Sequence, residues 1–173
     1  MKNHIKKITL CALFASITFV ATMFISIPTG VGNINLGDAF ILCSTFLLGP
    51  IYGAIAGATG AMLADLPFYT LYAPATFIIK GLMSLVGYFI FTLFSKLIHK
   101  DLPSMIIGGI AAEIIMVLGY FIYEWIFVLK NAYGALLNVP FNLIQGFSGI
   151  LVGVIITNLL KSNKYIKNFL SKQ

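Results

Sequence analysis

Charge is what this 173-residue sequence has least of. Only 9% of its residues are Asp, Glu, Lys or Arg, against about 25% in a soluble globular chain. Arginine is absent, so all eleven basic residues are lysines. So few charges cannot cover the surface of a water-soluble fold, which excludes soluble enzymes, secreted disulfide scaffolds and disordered tails together. No G-x-x-x-x-G-K-[ST] phosphate loop occurs, so the chain does not hydrolyse ATP by itself. The two histidines, His4 and His99, stand at the edges of apolar runs, and the H-E-x-x-H zinc pattern is missing. Cys11 and Cys43 lie inside apolar runs, where a thiol behaves as a small hydrophobe, and have no disulfide or zinc spacing. No motif calls for a metal or cofactor. No inverted repeat aligns, which argues against a self-sufficient secondary transporter.

What is present is apolar mass. Sixty per cent of the residues are hydrophobic and the mean hydropathy is +0.99. Six helices of about 20 residues, each long enough to cross about 30 Å of hydrocarbon, would leave only short loops in a chain of this length. The expected fold is therefore all-α: one six-helix transmembrane domain over residues 1–173, with helices at about 8–27, 36–48, 50–66, 74–98, 104–129 and 139–160. The first run is too long for the apolar region of a cleaved signal peptide and is read as a retained helix closed by Pro28 and Gly30. Pro50 opens the third helix, since proline is tolerated in a first turn.

Lysine placement sets the expected orientation. With six spans, Lys2, Lys6, Lys7, Lys96, Lys100, Lys161, Lys164, Lys167 and Lys172 share one side and only Lys130 faces the other. The positive-inside rule then puts both termini in the cytoplasm. The net charge of +6 reflects this topology, and the lysines form no single nucleic-acid footprint.

Polar residues inside spans are expensive and mark candidate sites. Lys80 lies about two turns inside the outer end of the fourth helix, with Thr76 and Ser84 on its face. Glu113, Tyr120 and Glu124 share a stripe on the fifth, and Asn138, Asn142, Gln145 and Gly149 share one on the sixth. A wet cavity open to the exterior, or interhelical hydrogen bonding alone, satisfies these stripes. Asp38, three residues after Asn35, suits a helix start as a cap. Asp65 sits at a helix C-terminus, where a negative charge needs a cation, and Lys80 is the candidate at that depth. Gly53, Gly57, Ala61 and Asp65 recur every four residues, a small-residue stripe for close helix packing. Ala12 and Ser16, beside Cys11 and Ala15, make a shorter small-residue pair on the first helix, for internal packing or for docking another membrane protein. Tyr69, Tyr72, Tyr123 and Trp125 are read as interfacial belt residues or as aromatics that close over a flat ligand.

The stretch from Asn33 to Leu66, NINLGDAFILCSTFLLGPIYGAIAGATGAMLADL, followed by YAPATFIIKG and later VPFNLIQ, resembles the substrate-binding S components of energy-coupling factor (ECF) vitamin transporters. The group is that around riboflavin, hydroxymethylpyrimidine and pyridoxine uptake, and the resemblance covers nearly the whole chain. It implies a six-helix subunit that binds a vitamin near the extracellular face, docks on a coupling membrane protein joined to two ATPase subunits, and delivers substrate by toppling in the bilayer of a prokaryotic plasma membrane. The family's A-x-x-x-A docking pattern falls here on Ala12 and Ser16, serine replacing one alanine. The expected substrate-binding residues are Lys80, Tyr120, Glu124, Asn142 and Gln145, with Asp38, Asp65 and Glu113 as structural polar groups. A small heteroaromatic is favoured, hydroxymethylpyrimidine or pyridoxine ahead of the larger riboflavin, because amides, Glu and Lys pair with ring nitrogens and hydroxyls while tyrosines stack. The contrasting reading is a stand-alone membrane permease or an intramembrane enzyme.

Overall fold

Long apolar runs punctuated by glycine and proline become helices, and the punctuation becomes their ends. The structure, a computed structural model, describes residues 2–29, 32–163 and 166. Its helices are α1 (Lys2–Phe24), α2 (Gly37–Leu48), α3 (Pro50–Asp65), α4 (Ala73–Ile98), α5 (Asp101–Tyr123), a short α6 (Ala132–Leu136) and α7 (Val139–Ser162). Among the described residues, four helical stretches are long and apolar enough to cross a membrane: His4–Phe24, Ala73–Ile98, Asp101–Val128 and Ala132–Ser162. At 12 and 16 residues, α2 and α3 are shorter than the about 20 residues a span takes. The chain is a multi-pass helical membrane protein.

Several expected boundaries move. The first helix stops at Phe24, short of Pro28, because the chain turns into a hairpin of β1 (Ser26–Pro28) and β2 (Asn33–Asn35), paired antiparallel with Ile27 opposite Ile34. Pro28 thus ends a strand and not a helix, and Gly30 lies outside the described residues. So do Lys164, Lys167 and Lys172 of the expected lysine-rich tail. The fifth helix begins at Asp101 and continues beyond Tyr123 as one π turn, Glu124–Val128, in which the Leu129 N–H reaches the Glu124 carbonyl at 2.8 Å. The loop after it folds into α6, started by Asn131, whose side chain accepts from the Tyr133 N–H.

The shortest of the larger helices, α2, is the most enclosed: every residue from Gly37 to Leu48 except Phe40 is buried. Small residues permit this. Gly53 and Gly57 of α3 lie where a side chain would strike the Thr45 backbone at 2.6 Å and Ile41 at 2.8 Å, and a side chain at Gly153 of α7 would strike the Ala39 carbonyl oxygen of α2 at 2.7 Å. On another face of α3, Gly60 meets the Ala15 carbonyl oxygen of α1. The small-residue stripe is a packing surface, as close helix contacts require. Gly49, with φ +87°, makes the elbow from α2 into α3 in a conformation that glycine adopts without strain. Ile41, Leu42, Met83, Met105 and Met116 fill the core, whereas Phe24, Phe89 and Phe147 face outward, as side chains in contact with lipid do.

Candidate functional site

The hairpin lies over the end of the bundle where α1 finishes, α2 begins, α3 finishes, α4 begins and α7 begins. Asn35 secures it. Its N–H donates to Gln145 Oε1 at 2.9 Å, while its side-chain oxygen accepts from the N–H of Gly37, the first residue of α2, at 3.0 Å. Beneath the hairpin is a cavity of about 40 Å³ lined mostly by polar side chains, from the hairpin and from α1, α3, α4, α5, the π turn and α7.

All five residues expected to bind substrate line this one cavity: Lys80 of α4, Tyr120 of α5, Glu124 at the π turn, and Asn142 and Gln145 of α7. Asp65 joins them. Sequence reasoning missed Thr22, Thr29 and Phe141 as lining residues; a threonine in an apolar helix is a weak signal and a phenylalanine none.

Two polar networks organise the walls. Lys80, 3% exposed, forms an ion pair with Asp38, which is fully buried, at 2.5 Å, and the other Asp38 oxygen accepts from Gln145 Nε2 at 2.6 Å. The expected Asp65–Lys80 pair is therefore replaced by Asp38–Lys80, and Asp38 spends its carboxylate on side chains rather than on capping. Asp65 instead accepts from the Thr76 hydroxyl at 2.5 Å, and Thr76 bonds the Tyr120 hydroxyl at 2.9 Å. The reason is depth: α3 and α4 run in opposite directions, so the C-terminus of α3 meets Thr76, one turn of about 5.4 Å nearer the end than Lys80. The Lys80 ammonium also lies 5.2 Å from the Tyr120 ring centre, within cation–π range.

In the second network, Glu124 Oε1 accepts from Asn138 Nδ2 at 2.9 Å and from the Tyr72 hydroxyl at 3.4 Å. Burial and then the neighbouring Glu124 charge push the Tyr72 hydroxyl far above the ordinary phenol range, so it stays a donor. The expected aromatic belt divides. Tyr69 and Tyr72 line the cavity, Tyr123 donates to the Leu71 carbonyl oxygen, and Trp125 is exposed.

Glu113 is buried beside the cavity and not in its wall, packed on α7 where Gly146 and Gly149 leave room; a side chain at 149 would meet Glu113 Oε1 at 3.0 Å and Asp38 Cβ at 2.9 Å. Ala12 and Ser16 are exposed on α1, away from the Cys11, Phe14 and Thr18 face that packs inward. They are not internal packing. Among the described residues no group of three His, Cys, Asp or Glu side chains is placed to hold a metal ion.

Comparison with known proteins gives the arrangement its context. An archaeal protein from Pyrococcus woesei, described as "Uncharacterized protein in gap 3'region", is 35% identical over 137 residues, covering 78% of this chain and 87% of that one. A "UPF0397 protein" from Leuconostoc citreum (strain KM20) is 34% identical over 67 residues, 38% of this chain and 36% of that protein. A solved structure described as "Structure and mechanism of the S component of a bacterial ECF transporter" superposes with a TM-score of 0.71 at 26% identity, covering 92% of this chain and 97% of that one. The family profile "ECF-type riboflavin transporter, S component" matches residues 2–162, and with that match over nearly its whole length the chain belongs to this family of membrane transport components, which are not enzymes.

Proposed function

We propose that the chain captures a B-type vitamin or vitamin precursor in the cavity beneath the hairpin, from the extracellular side, for uptake driven by partner subunits. Hydroxymethylpyrimidine or pyridoxine is the favoured substrate, riboflavin the next. The observation that carries this reading is the convergence of Lys80, Tyr120, Glu124, Asn142 and Gln145 on one polar cavity at one end of an otherwise apolar bundle. In this reading all six larger helices cross the bilayer of a prokaryotic plasma membrane, with both termini cytoplasmic. α2 is short because protein rather than lipid surrounds it. Ala12 and Ser16 form the docking face for a coupling membrane subunit joined to two ATPase subunits, and Asp38, Asp65 and Glu113 are structural.

A cavity of about 40 Å³ is far smaller than the about 300 Å³ or more of ligand pockets in general. Binding therefore requires the hairpin, held to α7 through Gln145, to lift. The test is expression of the chain without its partners. Purified protein should retain a vitamin detectable by native mass spectrometry and bind it again after removal, while cells expressing the chain alone fail to accumulate it. Accumulation by the chain alone would instead support a stand-alone permease.

A further inference from the structure

Glu113 is the buried carboxyl group whose two oxygens both lack a hydrogen-bond partner among the described residues. It is 5% exposed and stands near the middle of the Asp101–Val128 stretch. At 1.5 Å per residue that is about 18 Å from the start of the helix, deep in a hydrocarbon layer about 30 Å thick. A carboxyl group left there alone is costly and marks a functional site. Lys80 does not answer it, for its ammonium pairs with Asp38 at 2.5 Å. Asp38 is itself close, since a side chain at 149 would touch both Asp38 Cβ and Glu113 Oε1. Two carboxyl groups and one ammonium thus meet at this depth, and the charge that would complete the set is positive.

Glu113 is reached from the lipid side and not from the vitamin cavity. A groove of about 370 Å³ runs between α5 and α7, walled by Ile114, Val117 and Leu118 of α5 and by Leu143, Phe147 and Ile150 of α7, with Glu113 in its lining. Gly146 lies beside the carboxyl, and a side chain there would meet Glu113 Oε2 at 3.1 Å, so glycine keeps that oxygen uncovered. Ile114, Leu118, Leu143 and Phe147 are exposed, and the mouth opens onto the bilayer. The volume falls within the about 300 to 1,000 Å³ of small-molecule sites, whose usual lining is apolar with a few convergent polar groups. One turn of a helix, about 10 Å across and 5.4 Å high, already takes up more space than this. The ammonium of a phospholipid stays at the headgroup level, about half a bilayer away.

We infer that the α5–α7 groove is a second ligand site, for a bilayer-dissolved amphiphile that carries a primary amine on an apolar body. The amine lies against the Glu113 carboxyl and the body against the aliphatic and aromatic walls. Within the pair the proton passes from the carboxyl oxygen to the amine nitrogen, giving carboxylate and ammonium, so no net charge enters the hydrocarbon. The ammonium N–H groups then donate to oxygens that have no other donor, as charge-assisted hydrogen bonds. A quaternary ammonium brings the charge without the N–H, and an ether brings neither. The inference is independent of the vitamin reading above, in which Glu113 is structural.

The test is carbon-13 NMR of the full chain in lipid nanodiscs at fixed pH, with the glutamates labelled at the side-chain carboxyl. There are two, Glu113 and Glu124, and Glu113→Gln identifies the Glu113 resonance by its loss. Decylamine should move that resonance downfield, from the carboxylic acid to the carboxylate position, in a saturable way, while the Glu124 resonance stays in place. Decyltrimethylammonium brings the same charge to the bilayer and should need at least about tenfold more to produce the shift; decyl methyl ether should produce none. Leu143→Trp, at an exposed position of the groove wall, should fill the groove and weaken the decylamine response at least about tenfold with Glu113 intact. If Glu113→Gln does not yield monodisperse protein, the resonance that Leu143→Trp makes unresponsive is the one facing the groove, and the titrations still decide. A Glu113 resonance that ignores decylamine, responds equally in Leu143→Trp or answers decyltrimethylammonium just as well would overturn the inference and leave the groove to lipid chains. So would a resonance at the carboxylate position before any amine is added, since a cation of the protein would then already hold the group.

Discussion

Removing the positive charge of Lys80 should cost the protein more than removing any other lysine. Its ammonium is paired with Asp38 at 2.5 Å, with the two side chains 3% and 0% exposed. In Lys80→Met the apolar stem is retained and the charge lost, so Asp38 keeps only the Gln145 amide as a side-chain partner. Breaking one side of a buried pair typically costs about 3 to 5 kcal/mol, because the remaining charge stays buried without compensation. For a chain of this size that corresponds to a melting temperature lower by roughly 6 to 20 °C. Asp38→Asn alone should also destabilise, by leaving the ammonium uncompensated. The double variant Lys80→Met/Asp38→Asn should recover most of the loss, since an amide beside a thioether carries no charge to strand. The assay is thermal unfolding in a fixed detergent, read as a double-mutant cycle. A parallel cycle with Asp65→Asn in the Lys80→Met background is the control, for Asp65 is held by Thr76 and should give little recovery. Additive effects for Lys80 and Asp38, or recovery through Asp65 instead, would refute the assignment of the pair.

Four further outcomes follow from the same geometry. Asn142→Ala should weaken vitamin binding about tenfold by removing one buried hydrogen bond, measured by titration calorimetry. Gln145→Ala should weaken it more and also expose the loop between β1 and β2 to protease, since Gln145 ties both Asn35 and Asp38; limited proteolysis unchanged from wild type would contradict that tie. Ala12→Trp or Ser16→Trp should abolish uptake in cells containing the partner subunits while leaving binding by the isolated chain intact, as both residues are exposed; parallel loss of binding would show that the face is needed for the fold. Gly149→Val should destabilise by about 1 to 3 kcal/mol through overpacking against Asp38 and Glu113, seen as a lower melting temperature.

The helices and the polar stripes were legible because each announces itself through a strong period: long apolar runs, glycine-proline stops, and polar residues spaced three, four or seven apart. That logic singles out Lys80, Tyr120, Glu124, Asn142 and Gln145, which line one cavity. It failed where the answer depended on depth. Lys80 and Asp65 both lie near the outer ends of neighbouring helices, which pairs them by position alone, yet Lys80 pairs with Asp38 of α2. The hairpin was illegible for another reason. Ser-Ile-Pro and Asn-Ile-Asn are three residues each, too short to show an alternation, and Pro28 reads as a helix stop whether a strand or a loop follows. The π turn at Glu124 leaves no mark in the sequence, because Trp125 to Val128 are apolar and aromatic like the residues before Glu124.

The enclosure of α2 has a consequence for how the protein is made. A 12-residue segment with a carboxylate in its first turn has neither the length nor the polarity to be recognised by itself as a span. Joined through Gly49 to α3, it becomes one hairpin whose two arms begin and end at the same face of the bundle. In the six-span reading proposed above, α2 and α3 enter the membrane as a unit, with α1 already in place to receive Gly60. Asp38 then waits, uncompensated, for a lysine that is synthesised 42 residues later. In that reading, biogenesis has a point before which α2 is only provisionally in the membrane, and the arrival of α4 closes it.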